Sequence, residues 1–514
     1  MTAQPLADRF RQAQALHRAG RLAAAEAGYR QILAIDPRHA DSLNYLGILA
    51  SQSGRNEVAA DLVGRAITLR PRIADYHDNL GLVLRALGRL DEAGRCHRKA
   101  LRLDPHHANA QNHLGALAGQ MGRPADAERH YREAVRLDAR HVEAHNNLGV
   151  ALVAQDRPEE ALGHFHAALR LDARYVDPYA NLAGALRNLG RTAEAEAALR
   201  AGLHLAPNAS QLRYNMAGLL LLTGRFEAGW PLYEERHHLS AAPSPPAVPR
   251  WSGGATGDRV LLLQAEQGAG DTILACRYLP LFPPETRLIL EVPPELCRLL
   301  NGFGRQYRMV SRGDALPAFD LQCSVMSLPL AFGTILGTIP AATPYLHAVP
   351  DDVAVWRRRL EQLPGLRVGL VWAGNPVHAE DQRRSISPDL LAPFGTIAGI
   401  SFVSLQKGWM GQPPPLRLVD WTGELDDFAD TAALIAGLDL VIGVDTAVVH
   451  LAGALGKPVW LLNRFDPHWL WLLDRTDSPW YPTLRQFRQT RPGDWTGVIT
   501  AVGRALVVLN GTGT

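Results

Sequence analysis

The chain has few cysteines and almost no net charge. Its four cysteines show no C-x-x-C spacing, which argues against a disulfide framework and a zinc–cysteine site and is typical of a reducing compartment. The formal net charge is only +2, so composition does not indicate a partner such as nucleic acid or an anionic membrane surface. These absences favour a cytoplasmic protein that carries no disulfides.

Long apolar runs are also missing. No stretch of the sequence approaches the roughly 20 apolar residues that a membrane-spanning helix needs. The opening segment "MTAQPLADRFRQ" has no apolar core, so we expect no secretory signal there. The chain has 514 residues, 47% of them hydrophobic and 20% charged, which predicts several globular domains with large buried cores.

The first half of the sequence repeats itself every 34 residues. A leucine, or a methionine in the last copy, precedes a small residue at each step. A Gly-Arg pair recurs with the same period, at Gly20, Gly54, Gly88, Gly122, Gly190 and Gly224, and Asp156 fills the missing place. Prolines close several of the copies, which is a signal that ends a helix. This period predicts an array of helix pairs joined by tight turns.

The repeat pattern resembles the tetratricopeptide family, whose unit is a 34-residue helix-turn-helix. We predict six full repeats over residues 4–207 and a modified helix pair that ends at residue 239. The resemblance implies an all-α superhelix whose concave face commonly binds an extended peptide.

One position of the repeat carries asparagine in most copies. The residues are Tyr45, Asn79, His113, Asn147, Asn181 and Asn215. This series resembles the asparagine ladder in the repeats of O-GlcNAc transferase, which implies that Asn79, Asn147, Asn181 and Asn215 bind the backbone of an acceptor peptide. The alternative is that these asparagines only contact the neighbouring repeat.

The pattern changes after a proline-rich junction at residues 240–257. Short apolar strands then alternate with helices in two series, which predicts α/β domains at residues 258–350 and 366–505, joined by a linker helix at 351–365. Two Rossmann-like domains that face a cleft form the GT-B arrangement of glycosyltransferases. We expect the first of the two to have a reduced sheet because it is short.

The stretch "VDTAVVHLAGALGKP" follows a buried strand and begins a helix. Asp445 and Thr446 therefore lie at the carboxyl edge of a parallel sheet, where ligands bind, and His450 follows one turn later. A helix N-terminus offers free N–H groups to a diphosphate. The alternative is that Asp445 or Thr446 only caps the helix and that His450 is a core residue.

This stretch resembles the D-T-G-x-x-H signature of the heptosyltransferases, which are family 9 glycosyltransferases. Ala447 stands where that signature has glycine. A second stretch, "GAGDTILACRYLP", resembles the acceptor-side motif of the same family and implies that Gly270 and Asp271 face the acceptor. Asp271 is then the candidate general base, and an N-terminal cap is its alternative role.

Three further residues are candidates for binding the donor. Lys407 and Arg384 could neutralise a leaving diphosphate, and Asn375 lies with His378 in the polar loop "WAGNPVHAEDQRRS". A single lysine or arginine is also often a solvated surface charge. The sequence shows no D-x-D motif and no His/Cys cluster, so we expect neither a bound metal nor a cofactor other than the nucleotide sugar.

The sequence therefore predicts a metal-independent, inverting glycosyltransferase. Its plan resembles O-GlcNAc transferase and the flagellin glycosyltransferases, which implies transfer to serine or threonine of a protein recruited by the repeats. Two alternatives remain at this stage. One is a heptosyltransferase-like enzyme acting on lipopolysaccharide or another glycan, and the other is a repeat scaffold with an inactive transferase domain.

Overall fold

The computed structural model describes residues 5–239, 248–301, 307–376 and 381–511. They form two compact units. The first extends to Leu186 and includes Arg200–Ala206, and the second comprises Arg187–Leu199 and the chain from Pro207 onward. The division therefore lies within the last repeats, earlier than the predicted junction at residues 240–257.

Consecutive helices fill the N-terminal part of the chain, as the 34-residue period predicts. Their bounds are α1 (Leu6–Arg18), α2 (Leu22–Ile35), α3 (Ala40–Gln52), α4 (Asn56–Leu69), α5 (Ala74–Ala86), α6 (Leu90–Leu103), α7 (Ala108–Gln120), α8 (Pro124–Leu137), α9 (Val142–Val153), α10 (Pro158–Leu171), α11 (Asp177–Asn188), α12 (Thr192–Leu205), α13 (Ser210–Leu222), α14 (Phe226–Tyr233) and α15 (Arg236–Leu239).

The turn between the two helices of each repeat requires a left-handed backbone. The six glycines of the Gly-Arg pairs all have φ between 70° and 77°. Asp156 replaces the glycine of one repeat and adopts the same conformation, with φ of 58°. Aspartate tolerates this region better than most residues, so the exception keeps the turn.

The small residue after each leucine lets the two helices of a repeat approach closely. At Gly81, Gly115 and Gly149, an added Cβ would overlap the ring of the facing side chain, which is His97, Tyr131 or Phe165. In each of these three repeats, one ring side chain packs directly on the glycine. Packing of this kind joins the helices of a repeat over a short stretch of chain.

Two parallel sheets form the C-terminal part. The first contains β1 (Val260–Gln264), β2 (Arg287–Val292), β3 (Tyr307–Ser311) and β4 (Leu321–Ser324) in the order β3-β2-β1-β4. The second contains β5 (Leu366–Val371), β6 (Ile400–Ser404), β7 (Leu418–Val419), β8 (Leu440–Val444), β9 (Val459–Asn463) and β10 (Leu484–Arg488) in the order β10-β9-β8-β5-β6-β7. This region is an α/β module, as predicted.

Helices connect these strands. They are α16 (Ala269–Ala275), α17 (Pro294–Leu300), α18 (Leu328–Ala331), α19 (Pro350–Leu360), α20 (Asp381–Arg384), α21 (Phe428–Ala436), α22 (Ala447–Ala454) and α23 (Trp495–Gly511), with short 3-10 turns between some of them. Strands β1 and β8 are almost completely buried, as their continuous apolar sequences predict.

The helix pair α13–α14 shares the core of the α/β module. Phe226, Trp230 and Tyr233 on α14 are each 2% exposed and belong to the same apolar cluster as β1 and β8. The Trp230 indole donates to the Thr334 carbonyl over 2.8 Å. The compact second unit therefore begins before the proline-rich segment, because its core needs these aromatic side chains.

Within the described ranges, the structure contains no helix that combines the length and the apolar character needed to cross a bilayer.

Candidate functional site

The first turns of α16 and α22 meet in the α/β module. Each helix follows the carboxyl end of a strand, α16 after β1 and α22 after β8. A Cβ added to Gly270 would lie 2.9 Å from His450 Cδ2 and 3.3 Å from Ala447 Cα. Glycine at position 270 therefore allows the two motifs singled out in the sequence to come into contact.

Asp271 lies at this meeting point, in the first turn of α16. Its Oδ2 accepts a hydrogen bond from the Gly268 N–H over 3.0 Å, so part of the alternative capping role is present. Burial raises the pKa of the Asp271 carboxyl, and the carboxylates of Asp445 and Glu266 add to this effect against the bond from Gly268 and the charge of His450. A raised pKa suits a group that accepts a proton near neutral pH.

Asp445 and His450 form a pair across the first turn of α22. His450 Nε2 lies 3.6 Å from Asp445 Oδ1, and His450 Nδ1 lies 2.9 Å from the Tyr481 hydroxyl. The imidazole stacks on Trp471 with ring centroids 5.4 Å apart. His450 therefore has partners on both nitrogens. These surroundings are compatible both with the predicted role in binding the nucleotide-sugar donor and with the alternative role of a core residue.

The two carboxyl groups of the site are shifted in opposite directions. Burial alone would raise the pKa of Asp445, but the adjacent His450 imidazole, the charge of His468 and the nearby Trp471 indole lower it. The neighbouring His468 has its pKa lowered by burial to about 4. The raised pKa makes Asp271 the candidate for acid–base chemistry, whereas the lowered pKa keeps Asp445 ionised.

Thr446 begins α22 without capping it. It is the N-cap residue, yet its side chain makes no capping hydrogen bond. Its Oγ1 is buried and has no hydrogen-bond partner among the described residues. A buried hydroxyl without a partner is uncommon and is compatible with the predicted contact to a ligand.

Arg384 reaches the same loop from α20. Its guanidinium donates to the backbone carbonyl of Asp445 over 3.1 Å and to Asp381 Oδ1 over 3.0 Å. Asn375 is exposed on the loop that follows β5. Because β5 is the neighbour of β8, the structure brings Arg384 and Asn375 to the sheet edge of Asp445, whereas His378 lies outside the described residues.

Lys407 follows β6 on the same edge but is engaged elsewhere. Its ammonium donates to the carbonyls of Leu425 and Asp426, just before α21, the second bond being 3.0 Å long. The residue is otherwise exposed. A diphosphate would have to compete with these carbonyls, so the phosphate-binding role of Lys407 stays a prediction.

A buried arginine that sequence reasoning missed supports the site. Arg277 is 2% exposed and donates to the Trp480 carbonyl over 2.6 Å and to the Tyr345 hydroxyl over 3.2 Å. Its guanidinium lies 4.6 Å from the centroid of the Tyr481 ring. Tyr481 in turn bonds His450, so Arg277 holds the ring that orients the imidazole.

The segment that carries Tyr481 is rich in aromatic residues, and this feature is visible in the sequence. Residues 469–481 contain Trp469, Trp471, Trp480 and Tyr481, all buried. Such a density of aromatic residues indicates a packed surface, but nothing in the sequence connects it with His450.

The asparagines of the repeats bond to each other from one repeat to the next. The Asn79 amide donates to Asn44 over 3.1 Å, and Asn147 donates to Asn112 and Asn181 to Asn146 over 3.0 and 2.9 Å. Contact between repeats is the alternative stated above, and it is present. Peptide binding by these side chains stays a prediction, and Asn215 differs because its Oδ1 accepts from Gln211 on the same helix.

The N-terminal repeats enclose a polar groove of about 630 Å³. Its lining includes four carboxyl groups, from Asp41, Asp75, Asp78 and Glu143, together with the amides of several asparagines. Among the described residues, no lysine or arginine lines it. The groove therefore offers acceptors to N–H groups and favours a cationic or neutral occupant.

Comparisons with known proteins agree with the two-part organisation. Residues 72–140, 114–175 and 152–213 match tetratricopeptide repeat families. Residues 419–462 match the glycosyltransferase family 9 (heptosyltransferase). The family 9 match contains Asp445 and His450 but not Asp271.

One relative matches more than half of the chain. Protein FlbA of Caulobacter vibrioides is 30% identical over 320 residues, which is 56% of this chain and 53% of that protein. The chain thus spans about half the length of this curated relative.

Solved structures with similar helices match only part of the chain. The Cut9-Hcn1 hetero-tetramer of APC/C has a TM-score of 0.42 and 20% identity, and the match covers 45% of this chain and 46% of that one. A tetratricopeptide protein of Thermus thermophilus, TTC0263, has a TM-score of 0.33 and 22% identity, over 35% of this chain and 99% of that one.

Together, the repeat matches and the family 9 match indicate a glycosyltransferase segment joined to tetratricopeptide repeats.

Proposed function

We propose that this protein is a cytoplasmic glycosyltransferase that moves a sugar from a nucleotide-sugar donor to a hydroxyl of a protein acceptor. The observation that carries the proposal is the meeting of α16 and α22, which places Asp271 beside the Asp445–His450 pair. Two parallel sheets whose carboxyl edges supply these helices are compatible with a GT-B enzyme.

In the proposed reaction, Asp271 accepts the proton of the acceptor hydroxyl while the nucleoside diphosphate leaves. Transfer in one such step inverts the configuration at the sugar. The raised pKa of Asp271 favours this role, because a base whose pKa lies closer to neutrality also returns the proton readily.

The donor side of the proposal uses the second sheet. The free N–H groups at the start of α22 and the unpartnered Thr446 Oγ1 would face the diphosphate. Arg384, which is fixed by Asp381 at the Asp445 carbonyl, would neutralise its charge. The proposal needs no metal ion for this step.

The acceptor side rests on the repeats. A polar groove with carboxylates and asparagine amides suits the N–H groups of an extended polypeptide, which favours a protein acceptor over a lipid-linked glycan. A serine or threonine side chain, for example of a flagellin-type protein, would then supply the hydroxyl.

The test begins with the donor. Calorimetric titration of the full chain with a panel of nucleoside diphosphates and nucleotide sugars should identify a ligand. Asp445→Ala and His450→Ala should weaken that binding, because they remove the pair at the start of α22. If no member of the panel binds, the chain is the repeat scaffold instead.

The second step measures transfer. Asp271→Asn should retain binding of the nucleotide sugar and lower its turnover by roughly 10²-fold, the usual scale for a general base. Glu285→Gln is the control, because Glu285 is an exposed carboxylate at the opposite end of β2. Normal turnover by Asp271→Asn would move the base elsewhere, and transfer to a glycan but not to a protein would favour the heptosyltransferase-like alternative.

A further inference from the structure

Three side chains in the repeats depart together from the pattern of the neighbouring copies. Asp78, His97 and His113 occupy positions where the next copy has Asn112, Tyr131 and Asn147, 34 residues later. The copy before has Asn44, Val63 and Asn79, and the copy after the next has Asn146, Phe165 and Asn181. The equivalent positions of the neighbouring copies therefore serve as the comparison, and the triad of Asp78, His97 and His113 differs from them.

The three side chains lie in contact. His97 Nδ1 is 2.7 Å from Asp78 Oδ1, and His113 Nδ1 is 3.0 Å from Asp78 Oδ2. The two imidazole centroids are 5.4 Å apart. The ligand-type atoms of all three residues lie within 4.8 Å of one another, so a single ion could contact them all.

The triad replaces a neutral arrangement with an ionisable one. The bond from His113 to Asp78 takes the place of the amide bonds from Asn79 to Asn44 and from Asn147 to Asn112. Hydrogen bonds between asparagine amides already connect the neighbouring repeats, so this connection does not require a carboxylate or an imidazole. Burying a carboxylate is costly unless a cation or hydrogen bonds compensate it.

The ring of His97 occupies the seat used by Tyr131 and Phe165 in the following copies. In each case a Cβ on the facing glycine, which is Gly81, Gly115 or Gly149, would overlap the ring. The histidine therefore fits without a change of backbone, and the packing that an apolar ring would supply is exchanged for a nitrogen ligand.

Neutral imidazole and carboxylate are ligands of divalent first-row metals. His97 Nε2 is buried without a hydrogen-bond partner among the described residues. No hydrogen bond to Nε2 therefore fixes the tautomer of this ring, so Nδ1 is able to release its proton and bind a metal ion while Nε2 carries the ring proton. A tetrahedral zinc ion, with bonds of about 2.0–2.1 Å, separates its ligands by roughly 3.3 Å. The two nitrogen–oxygen distances of 2.7 and 3.0 Å would therefore need to lengthen only slightly.

We propose that Asp78, His97 and His113 bind one divalent first-row transition metal ion, such as Zn²⁺, at the floor of the groove. Two Nδ1–metal bonds and one carboxylate–metal bond form. Each imidazole stays neutral, because the proton that its Nδ1 gives up to water is matched by one that its Nε2 takes up from water. Asp78 and His113 line the groove, whereas His97 is fully buried. An open coordination position would therefore face the groove, where water or a ligand atom of a bound peptide completes the site.

This inference does not depend on the proposed glycosyl transfer. Sequence analysis expected no metal because it found no D-x-D motif and no His/Cys cluster. These ligands lie on three helices, with His97 19 positions and His113 35 positions after Asp78. No short motif contains them.

The experiment compares metal stoichiometry in the full chain. After treatment with a chelator and dialysis, wild type should bind one more equivalent of Zn²⁺ in calorimetric titration than the variant Asp78→Asn/His97→Tyr/His113→Asn. This variant restores the side chains of the next copy, so we expect it to fold, and circular dichroism checks this. Co²⁺ should give d–d absorption bands that only the wild type shows.

Two further variants separate the site from the other histidines among the 19 in the chain. His145 and His164 also face each other, with their Nδ1 atoms 3.2 Å apart. His145→Ala/His164→Ala should keep the additional equivalent. Transfer of the triad to the next copy, by Asn112→Asp/Tyr131→His/Asn147→His in the restored variant, should return it.

Equal stoichiometry in wild type and the restored variant would overturn the proposal, and so would loss of the equivalent in the His145/His164 variant alone. If the restored variant does not fold, His113→Asn decides, because asparagine makes the same bond to the preceding copy in three neighbouring repeats. Retention of the additional equivalent in folded His113→Asn would then reject the site.

Discussion

Contacts in the repeats connect residues that are close in the sequence, whereas contacts in the α/β module connect residues that are far apart. In the repeats, the asparagine bonds connect residues 35 positions apart, and the buried apolar residues form several small clusters. In the module, Arg277 bonds a carbonyl 203 positions away, and one apolar cluster extends from Ala217 to Leu484. A local change should therefore stay local in the repeats, whereas in the module it should reach the candidate site.

The largest expected effect follows from removing Arg277. Arg277→Ala leaves the Trp480 carbonyl and the Tyr345 hydroxyl without their donor and opens a space beside Tyr481. We expect the α/β module to lose about 3–5 kcal/mol of stability. Scanning calorimetry should show its transition at a lower temperature and the transition of the repeats unchanged.

Arg277→Lys is the matched control, because it keeps the charge but not the planar fork. We expect an intermediate loss. If both calorimetric transitions fall together in Arg277→Ala, the two regions do not differ in the way described.

A pair of glycine substitutions tests the comparison directly. Gly149→Ala in the repeats and Gly453→Ala in the module each place a Cβ 2.5 Å from an aromatic ring carbon, of Phe165 and Tyr481 respectively. Each should cost about 1–3 kcal/mol through overpacking. Only Gly453→Ala should also displace the Tyr481 hydroxyl from His450 and, if the proposed nucleotide binding is found, abolish the thermal shift that the nucleotide causes.

Each glycine variant serves as the control of the other, since the clash is the same. Loss of this thermal shift in Gly149→Ala would mean that strain in the repeats reaches the proposed donor site.

We expect the two carboxyl groups of the site to change the stability of the folded protein with pH in opposite directions. The pKa of Asp445 is lowered in the folded state, so its stabilisation is present above the unfolded pKa of about 3.9 and is lost as the pH falls through the folded pKa. Asp445→Asn should therefore cost about 1.5 kcal/mol at neutral pH, the scale of a charged hydrogen bond, and less in acid.

For Asp271 the sign is reversed. Its pKa is raised on folding, so its contribution is fully present below about pH 3.9 and is lost as the pH rises through the folded pKa. Asp271→Asn should be at least as stable as wild type at pH 7, and this advantage should disappear in acid. Urea midpoints measured between pH 3 and pH 7 check both signs, and parallel profiles for the two variants would contradict them.

The smallest expected effect concerns the bonds between repeats. Asn147→Ala removes the donor to Asn112 and should lower the stability of the repeats by about 1 kcal/mol. Asn215→Ala should cost less, because Asn215 bonds within its own helix. Urea unfolding followed by circular dichroism measures both, and an equal loss would show that the bond between repeats contributes nothing.

The sequence predicted the elements that repeat or that bury continuous apolar runs. The turn glycines, the helix pairs and strands such as β1 and β8 follow from local rules of backbone conformation and burial. It missed β3 and β10, whose sequences "YRMVS" and "LRQFR" mix polar and apolar residues and form strands because a neighbouring strand pairs with them.

The same distinction applies to the candidate site. Asp445 could be placed, because it follows a buried strand at the carboxyl edge of a parallel sheet, and Asp271 was assigned from its resemblance to a family motif. Arg277, Tyr345 and Tyr481 could not, because their contacts join segments that are distant in the chain and carry no shared motif. The bonds that occupy Lys407 were also beyond prediction, since they depend on where the Leu425 carbonyl lies.

The aromatic side chains of α14 determine where the chain can be cut. A fragment that starts at the first strand would expose the surface that Phe226, Trp230 and Tyr233 cover, and it would lose the indole that bonds the Thr334 carbonyl. Such a fragment would be prone to aggregate during expression. A clone intended to produce the α/β module alone should therefore begin no later than Arg187, where the second compact unit starts, and keep both helices of the last pair.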